Sequence, residues 1–158
     1  MMLFNALINK EITRELIDGE VEKLTDSEIR EAIQAMVAED RLDLAAAIST
    51  AALVMRPNSE DILAISGLLC MVQGEWDNAV ELLEALLTIQ GEHAPPQTYL
   101  MLAKSLRCAF LVGSAMEMVK FGLKHHFNDQ ALAAEFKELQ ALNMAGDAAG
   151  WQSVAGSA

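Results

Sequence analysis

Aromatic side chains are scarce: five Phe, two Trp and one Tyr make up 5% of a chain that is 53% hydrophobic. Ala, Leu and Met dominate over the aromatic and β-branched residues that pleated sheets favour, which argues against a sheet-based fold and for helices. Proline is rare too. All three lie between Pro57 and Pro96, so long stretches on both sides hold no helix breaker. The only cysteines, Cys70 and Cys108, sit inside apolar helical patterns, where a thiol behaves as a small hydrophobe and fits a reducing compartment. No apolar run approaches the ~20 residues that a membrane-spanning helix needs. Met1 to Ile8 is apolar, but no basic region precedes it and no small-residue cleavage site follows, so it does not read as a signal peptide and a soluble, cytoplasmic protein is expected.

Positive charge is also in short supply. Eleven Lys and Arg stand against 23 Asp and Glu, a formal net charge of −12. Neither nucleic acid nor an anionic membrane gains from meeting such a surface, which leaves another protein as the expected partner. The imbalance is uneven: residues 98–127 hold Lys104, Arg107, Lys120 and Lys124 against Glu117 alone. At 158 residues the chain suits one domain able to bury a core without disulfides.

Thr25 and Glu28 form a capping box, so a helix is predicted to start there, with Ile29, Ala32, Ile33 and Met36 as its apolar stripe. A break at Glu39 to Arg41 leads to a second stripe through Leu44, Ala45, Ile48, Ala52 and Met55. Pro57 stops it, and Asn58 or Ser59 can cap the next helix. The cycle repeats from Glu60, with Gly74 at the C′ turn position and Trp76 to Ile89 as the partner helix. Residues 97–108 and 113–125 make a third pair, and Asn128 is expected to cap a closing helix that ends near Asn143. Domain bounds follow: an N-terminal helical segment 1–24, a repeat domain 25–143, and a flexible, Gly-containing tail 144–158.

A shift of 34 residues superimposes Asp40 to Ala45 on Gly74 to Ala79, so turn, bulky residue and Ala coincide. A further shift of 36 places Ala103 on Gly67, Val112 on Trp76 and Ala115 on Ala79. Thirty-four is the tetratricopeptide period. Over residues 26–127 the chain resembles a degenerate tetratricopeptide repeat protein. In that motif small residues stand where helices approach most closely, and Ala45, Ala52, Gly67, Ala79, Ala103 and Ala115 fill those slots. Tyr99 takes the bulky opening slot of its repeat, Trp76 the aromatic slot after the turn and Pro57 the closing proline. The departures are Ile33 for Gly in the first repeat, Leu86 for Ala and Gly91 for Pro in the second, and Gly122 for Ala in the third. The resemblance implies an all-α, right-handed solenoid of about three hairpins plus a closing helix.

Within that superfamily, residues 60–142 are similar to the small chaperones of bacterial type III secretion systems. The likeness rests on Gln73 to Ala79, Tyr99 to Ala103 and Leu111 to Glu117, and points to the type that holds the needle subunit. The translocator chaperones are the competing type. Either resemblance implies a cytoplasmic, non-enzymatic protein that binds an aggregation-prone secreted subunit, with a second small co-chaperone as a further candidate partner. A permanent structural adaptor is the alternative from another class.

Catalytic motifs do not stand out. His125 and His126 are adjacent, so on a helix they point about 100° apart and cannot share one metal as an i, i+4 pair can. With His93 in a loop, no metal or cofactor is expected, and solvated or helix-capping roles explain the histidines. No phosphate-cradling Gly loop or nucleophile elbow occurs.

The first helix of each tetratricopeptide hairpin lines the concave face, so the register predicts a partner groove. The first hairpin contributes Arg30, Gln34 and Val37; the second Ala64, Leu68, Met71 and Val72; the third Leu100, Lys104, Arg107 and Cys108. An apolar floor with cations at its edge suits an amphipathic segment of a client, helical or extended. Leu3, Phe4, Leu7 and Ile8 fall on one helical face and form a second candidate surface, for packing on the first hairpin, for a homodimer or for a co-chaperone.

Overall fold

In the computed structural model the backbone is described for residues 19–155 and the side chains for residues 19–146; Leu3, Phe4, Leu7 and Ile8 lie outside the described residues. All regular structure among the described residues is helical: α1 Asp26–Ala38, α2 Leu42–Met55, α3 Glu60–Gln73, α4 Trp76–Gln90, a 3₁₀ turn Gly91–His93, α5 Pro96–Cys108, α6 Val112–His125 and α7 Gln130–Ala155. A further helical stretch covers residues 19–23. The helices group into two compact units that divide after Gly74.

In the first unit α1 packs on both α2 and α3, and α2 on α3. Val21, Ile29, Ile33, Ala45, Ala52, Ile62, Ile65 and Leu69 form its interior. The Thr25 capping box is formed as expected, each partner bonding the other's backbone N–H. Arg56, just past α2, ties the corner together: it donates to the carbonyls of Val21, Glu22 and Leu24 and pairs with Asp26, which also accepts from the Ser59 hydroxyl. Those two donors and the guanidinium charge hold the Asp26 carboxyl below its ordinary 3.8. Ser49 and Ser66, both buried, satisfy each other across α2 and α3 at 2.7 Å.

In the second unit α5 packs on α4, α6 and α7, and α6 on α7. Tyr99 is its largest fully buried side chain, and burial pushes its phenol pKa up. Gly122 lets α6 close onto it: a Cβ there would lie 2.9 Å from the Tyr99 Cβ.

The backbone repeats with the register read from the sequence. Left-handed residues end the first helix of each pair at Asp40 (φ 58°), Gly74 (φ 73°) and Phe110 (φ 63°), 34 and then 36 residues apart. Ala45, Ala79 and Ala115 donate to the carbonyls of Arg41, Glu75 and Leu111 at the following helix starts. All three, with Ala52 and Ala103, are fully buried. Ile33 and Leu86, bulky in slots where the motif has small residues, are also buried.

Two expectations about the C-terminal helix need correcting. Its cap is Asp129, whose Oδ1 accepts from the Leu132 N–H at 2.9 Å, and not Asn128. It also runs to Ala155 rather than ending near Asn143. No proline interrupts 130–155, and Gly146 and Gly150 each weaken an Ala-rich helix by only about 1 kcal/mol.

Candidate partner-binding groove

α1 and α3 lie side by side in the first unit, and the furrow between them is a shallow apolar cavity of about 120 Å³. It is lined by Ile33, Gln34 and Val37 from α1 and by Ile65, Leu68, Leu69 and Val72 from α3. Helical spacing explains the set, since residues three and four apart share a face. Leu68 is 42% and Val72 54% exposed, so both leave substantial apolar area in water, while Val37 is half-buried. Gln34 is the only polar group in the lining. One turn earlier, Arg30 sits opposite Asp61 at 3.4 Å, and Ala64 beside it is half-buried. Met71 is half-buried as well.

The α5 candidates belong to the second unit. Leu100, Lys104 and Cys108 are half-buried there. Arg107 turns to α7: its Nη1 donates to Glu138 at 2.9 Å, and its Nε stands 3.0 Å from an oxygen of the buried Glu135, close enough for an ion pair though not aligned as a hydrogen bond. The cations expected at the groove edge therefore differ in kind. Arg30 and Arg107 already have carboxylate partners, whereas Lys104 makes no ion pair among the described residues.

No family model and no curated protein matches the chain. Solved structures do. The Sgt2 tetratricopeptide domain of Aspergillus fumigatus superimposes with a TM-score of 0.68 at 14% identity, over 77% of this chain and 81% of that one. The second tetratricopeptide domain of human RPAP3, solved with the HSP70 peptide SGPTIEEVD, gives 0.63 at 8% identity, over 71% and 92%. A chain of the Saccharomyces cerevisiae Sec complex gives 0.66 at 20% identity, over 80% and 72%. The fold is tetratricopeptide-like.

Within this tetratricopeptide-like fold, four sequence-predicted residues, Gln34, Val37, Leu68 and Val72, share one furrow. Sequence reasoning missed the other three. Ile33, Ile65 and Leu69 belong to the core stripe, and their outer edges form the groove floor. Ile33 carried a signal: a large apolar side chain fills a slot built for Gly, and though buried it lines the furrow. The histidines behave as helix-end residues. His126 takes the C-cap of α6 and its Nε2 donates to the Ala94 carbonyl at 2.8 Å, while the His125 ring stacks near Tyr99. Among the described residues no three His, Cys, Asp or Glu stand close enough to hold a metal, and no helix is long and apolar enough to cross a membrane.

Proposed function

We propose that the α1/α3 groove binds an apolar, amphipathic segment of another protein, and that the chain is a cytoplasmic, non-enzymatic type III secretion chaperone whose client is the needle subunit. The observation that carries this reading is the exposure of Leu68 and Val72 over a preformed apolar furrow. Fully burying such side chains is worth about 1.5–3 kcal/mol each, and with roughly half their surface still in water about 1 kcal/mol apiece remains for a client to gain. The lining of six aliphatic side chains and one amide offers no acid, base or nucleophile, so what it contributes is binding. The RPAP3 domain, solved with a peptide ending in Glu, Glu, Val and Asp, supports segment binding on this fold. Here the groove is apolar and Arg30 is already engaged by Asp61, which favours an apolar client face over an acidic tail. The mechanism is occupancy: a groove that covers the face through which the client polymerises keeps it monomeric until export.

The test is Leu68→Glu, co-expressed with a needle subunit or with a translocator. The variant is expected to keep the helical circular-dichroism spectrum and to bind the needle subunit at least about tenfold more weakly, equivalent to ~1.4 kcal/mol. Unfolding would make Leu68 a core residue. Unchanged affinity in a folded variant would move the client elsewhere. Retention of the translocator alone would replace the client class, and failure of the client to dissociate under competition would favour a permanent adaptor.

A further inference from the structure

The third helix pair carries aromatic side chains where the first two pairs carry small ones. In the repeat register Phe121 corresponds to Ala51 and Ala85, and Phe127 to Pro57 and Gly91. The chain has only five Phe, yet Phe121 is 50% and Phe127 78% exposed. The tetratricopeptide-like fold does not require either ring, since the equivalent positions do without one. Phe121 is held in place from below: its ring centroid lies 6.1 Å from that of buried Tyr99 and 5.1 Å from that of His125 on the next turn. One face of the ring is thus packed and the other presented to solvent, a pre-organised contact surface.

Charge adds a second observation at the same place. Each described Arg, and Lys23, stands within ion-pair distance of a carboxylate of this chain. Lys104, Lys120, Lys124 and Lys137 have no such partner among the described residues, although the chain holds 23 acids, and of these Lys120 and Lys124 form a pair, exposed one turn apart on α6 beside Phe121. The equivalent residues of the earlier pairs are Thr50 and Glu84, and Val54 and Thr88, so the cations belong to this pair alone. Complementing the helix C-terminus accounts for a cation at Lys124. It accounts for neither the exposed rings nor Lys120.

The geometry points to a second interaction surface, made by Phe121, Phe127, Lys120 and Lys124, that takes an acidic amphipathic segment of a partner protein: apolar residues for the rings, flanked by Asp or Glu for the lysines. A symmetric dimer through this face would set lysines against lysines, which like-charge repulsion opposes. An extended polyanion or an anionic bilayer would meet the field of a chain with net charge −12. A short acidic segment avoids most of that repulsion, because at physiological ionic strength charges beyond ~8 Å are screened. This surface is independent of the α1/α3 groove.

The experiment titrates the full ¹⁵N-labelled chain with a synthetic amphipathic peptide of Leu, Phe and Glu, alongside its Glu-to-Lys counterpart, a poly(U) oligonucleotide and phosphatidylserine vesicles. Amide shifts confined to residues 118–128 are expected with the acidic peptide, together with at least tenfold weaker binding of the basic peptide. Phe127→Ser and the pair Lys120→Glu, Lys124→Glu should each raise Kd at least tenfold, while Leu68→Glu leaves it unchanged. Phe121 packs on Tyr99 and is left intact, so misfolding does not confound the result. Equal binding of the basic peptide, unchanged Kd in both variants, absence of shifts at 118–128, or tighter binding of the oligonucleotide or vesicles would each overturn the proposal.

Discussion

Gly122→Ala tests how closely the third helix pair is packed. The added Cβ would lie 2.9 Å from the Tyr99 Cβ, 3.0 Å from its Cγ and 3.2 Å from Leu132 Cδ1, against the 3.5–4.0 Å of an ordinary carbon contact. Tyr99 cannot yield by rotating, because the crowded atoms sit at the base of a side chain only 1% exposed. α6 must therefore move away by about half an ångström or more, and overpacking of that kind costs about 2–3 kcal/mol. Ala gains about 1 kcal/mol over Gly in a helix, so the expected net loss is about 1–2 kcal/mol. Gly113 in the same helix is the control: a Cβ there meets nothing within 4 Å, so Gly113→Ala should be neutral or stabilising by up to ~1 kcal/mol. Urea unfolding followed by circular dichroism at 222 nm measures both, and m should stay constant. Gly122→Ala at or above wild-type stability would refute the reasoning, for it would mean that α6 and α5 are not held at this separation.

The remaining predictions concern the turns and the Arg56 corner. Phe110 is 91% exposed at φ 63°, so Phe110→Gly relieves a strained left-handed residue at little cost in burial and should stabilise by on the order of 1 kcal/mol, whereas Gly74→Ala at φ 73° should destabilise by a similar amount. Urea midpoints moving in the same direction would contradict the turn assignment. For Asp26 the lowered pKa sets the sign: its charged form stabilises the fold above the ordinary value near 3.8, and that contribution is lost as pH falls through the lower folded value. The side chain is 38% exposed, so solvent screening limits it to about 1 kcal/mol or less; Asp26→Asn should lose that much at pH 7 and flatten the stability profile below pH 4. A profile of unchanged slope would show that other carboxylates dominate acid unfolding.

Helix boundaries were legible where the signal is local. Thr25 with Glu28, the Pro57 stop with the Ser59 cap, and Gly74 each act within four residues, and the observed spans 26–55, 60–90 and 96–125 follow the expected 26–55, 60–89 and 97–125 to within a residue. The repeat register carried the rest. Without it nothing in Asp40 or Phe110 announces a left-handed residue, since neither is glycine; aligned on Gly74, both are accounted for. What failed was either ambiguous locally or distant in sequence. Asn128 and Asp129 are adjacent residues of equal capping preference, and only the backbone path decides between them. Glu135 and Glu138 lie 28 and 31 residues from Arg107, and no periodicity announces that pairing.

The same ion pairs change what the candidate groove can select. An edge of unpaired guanidinium groups would reward acidic clients, with affinity that falls steeply in salt. Arg30 and Arg107 are instead committed to Asp61 and to Glu135 and Glu138, and redirecting either one would leave a carboxylate behind, in the case of Glu135 a buried one. Discrimination in the α1/α3 furrow then rests on apolar area and shape, which distinguish clients by about a kilocalorie per methylene and tolerate sequence variation. Lys120 and Lys124, unpaired among the described residues and one turn apart on α6, are a pair of cations still available to read charge. The two proposed surfaces divide recognition between one that measures hydrophobic fit and another where cations and exposed rings act together, a division that would let a protein of net charge −12 hold an acidic partner segment without presenting a basic groove.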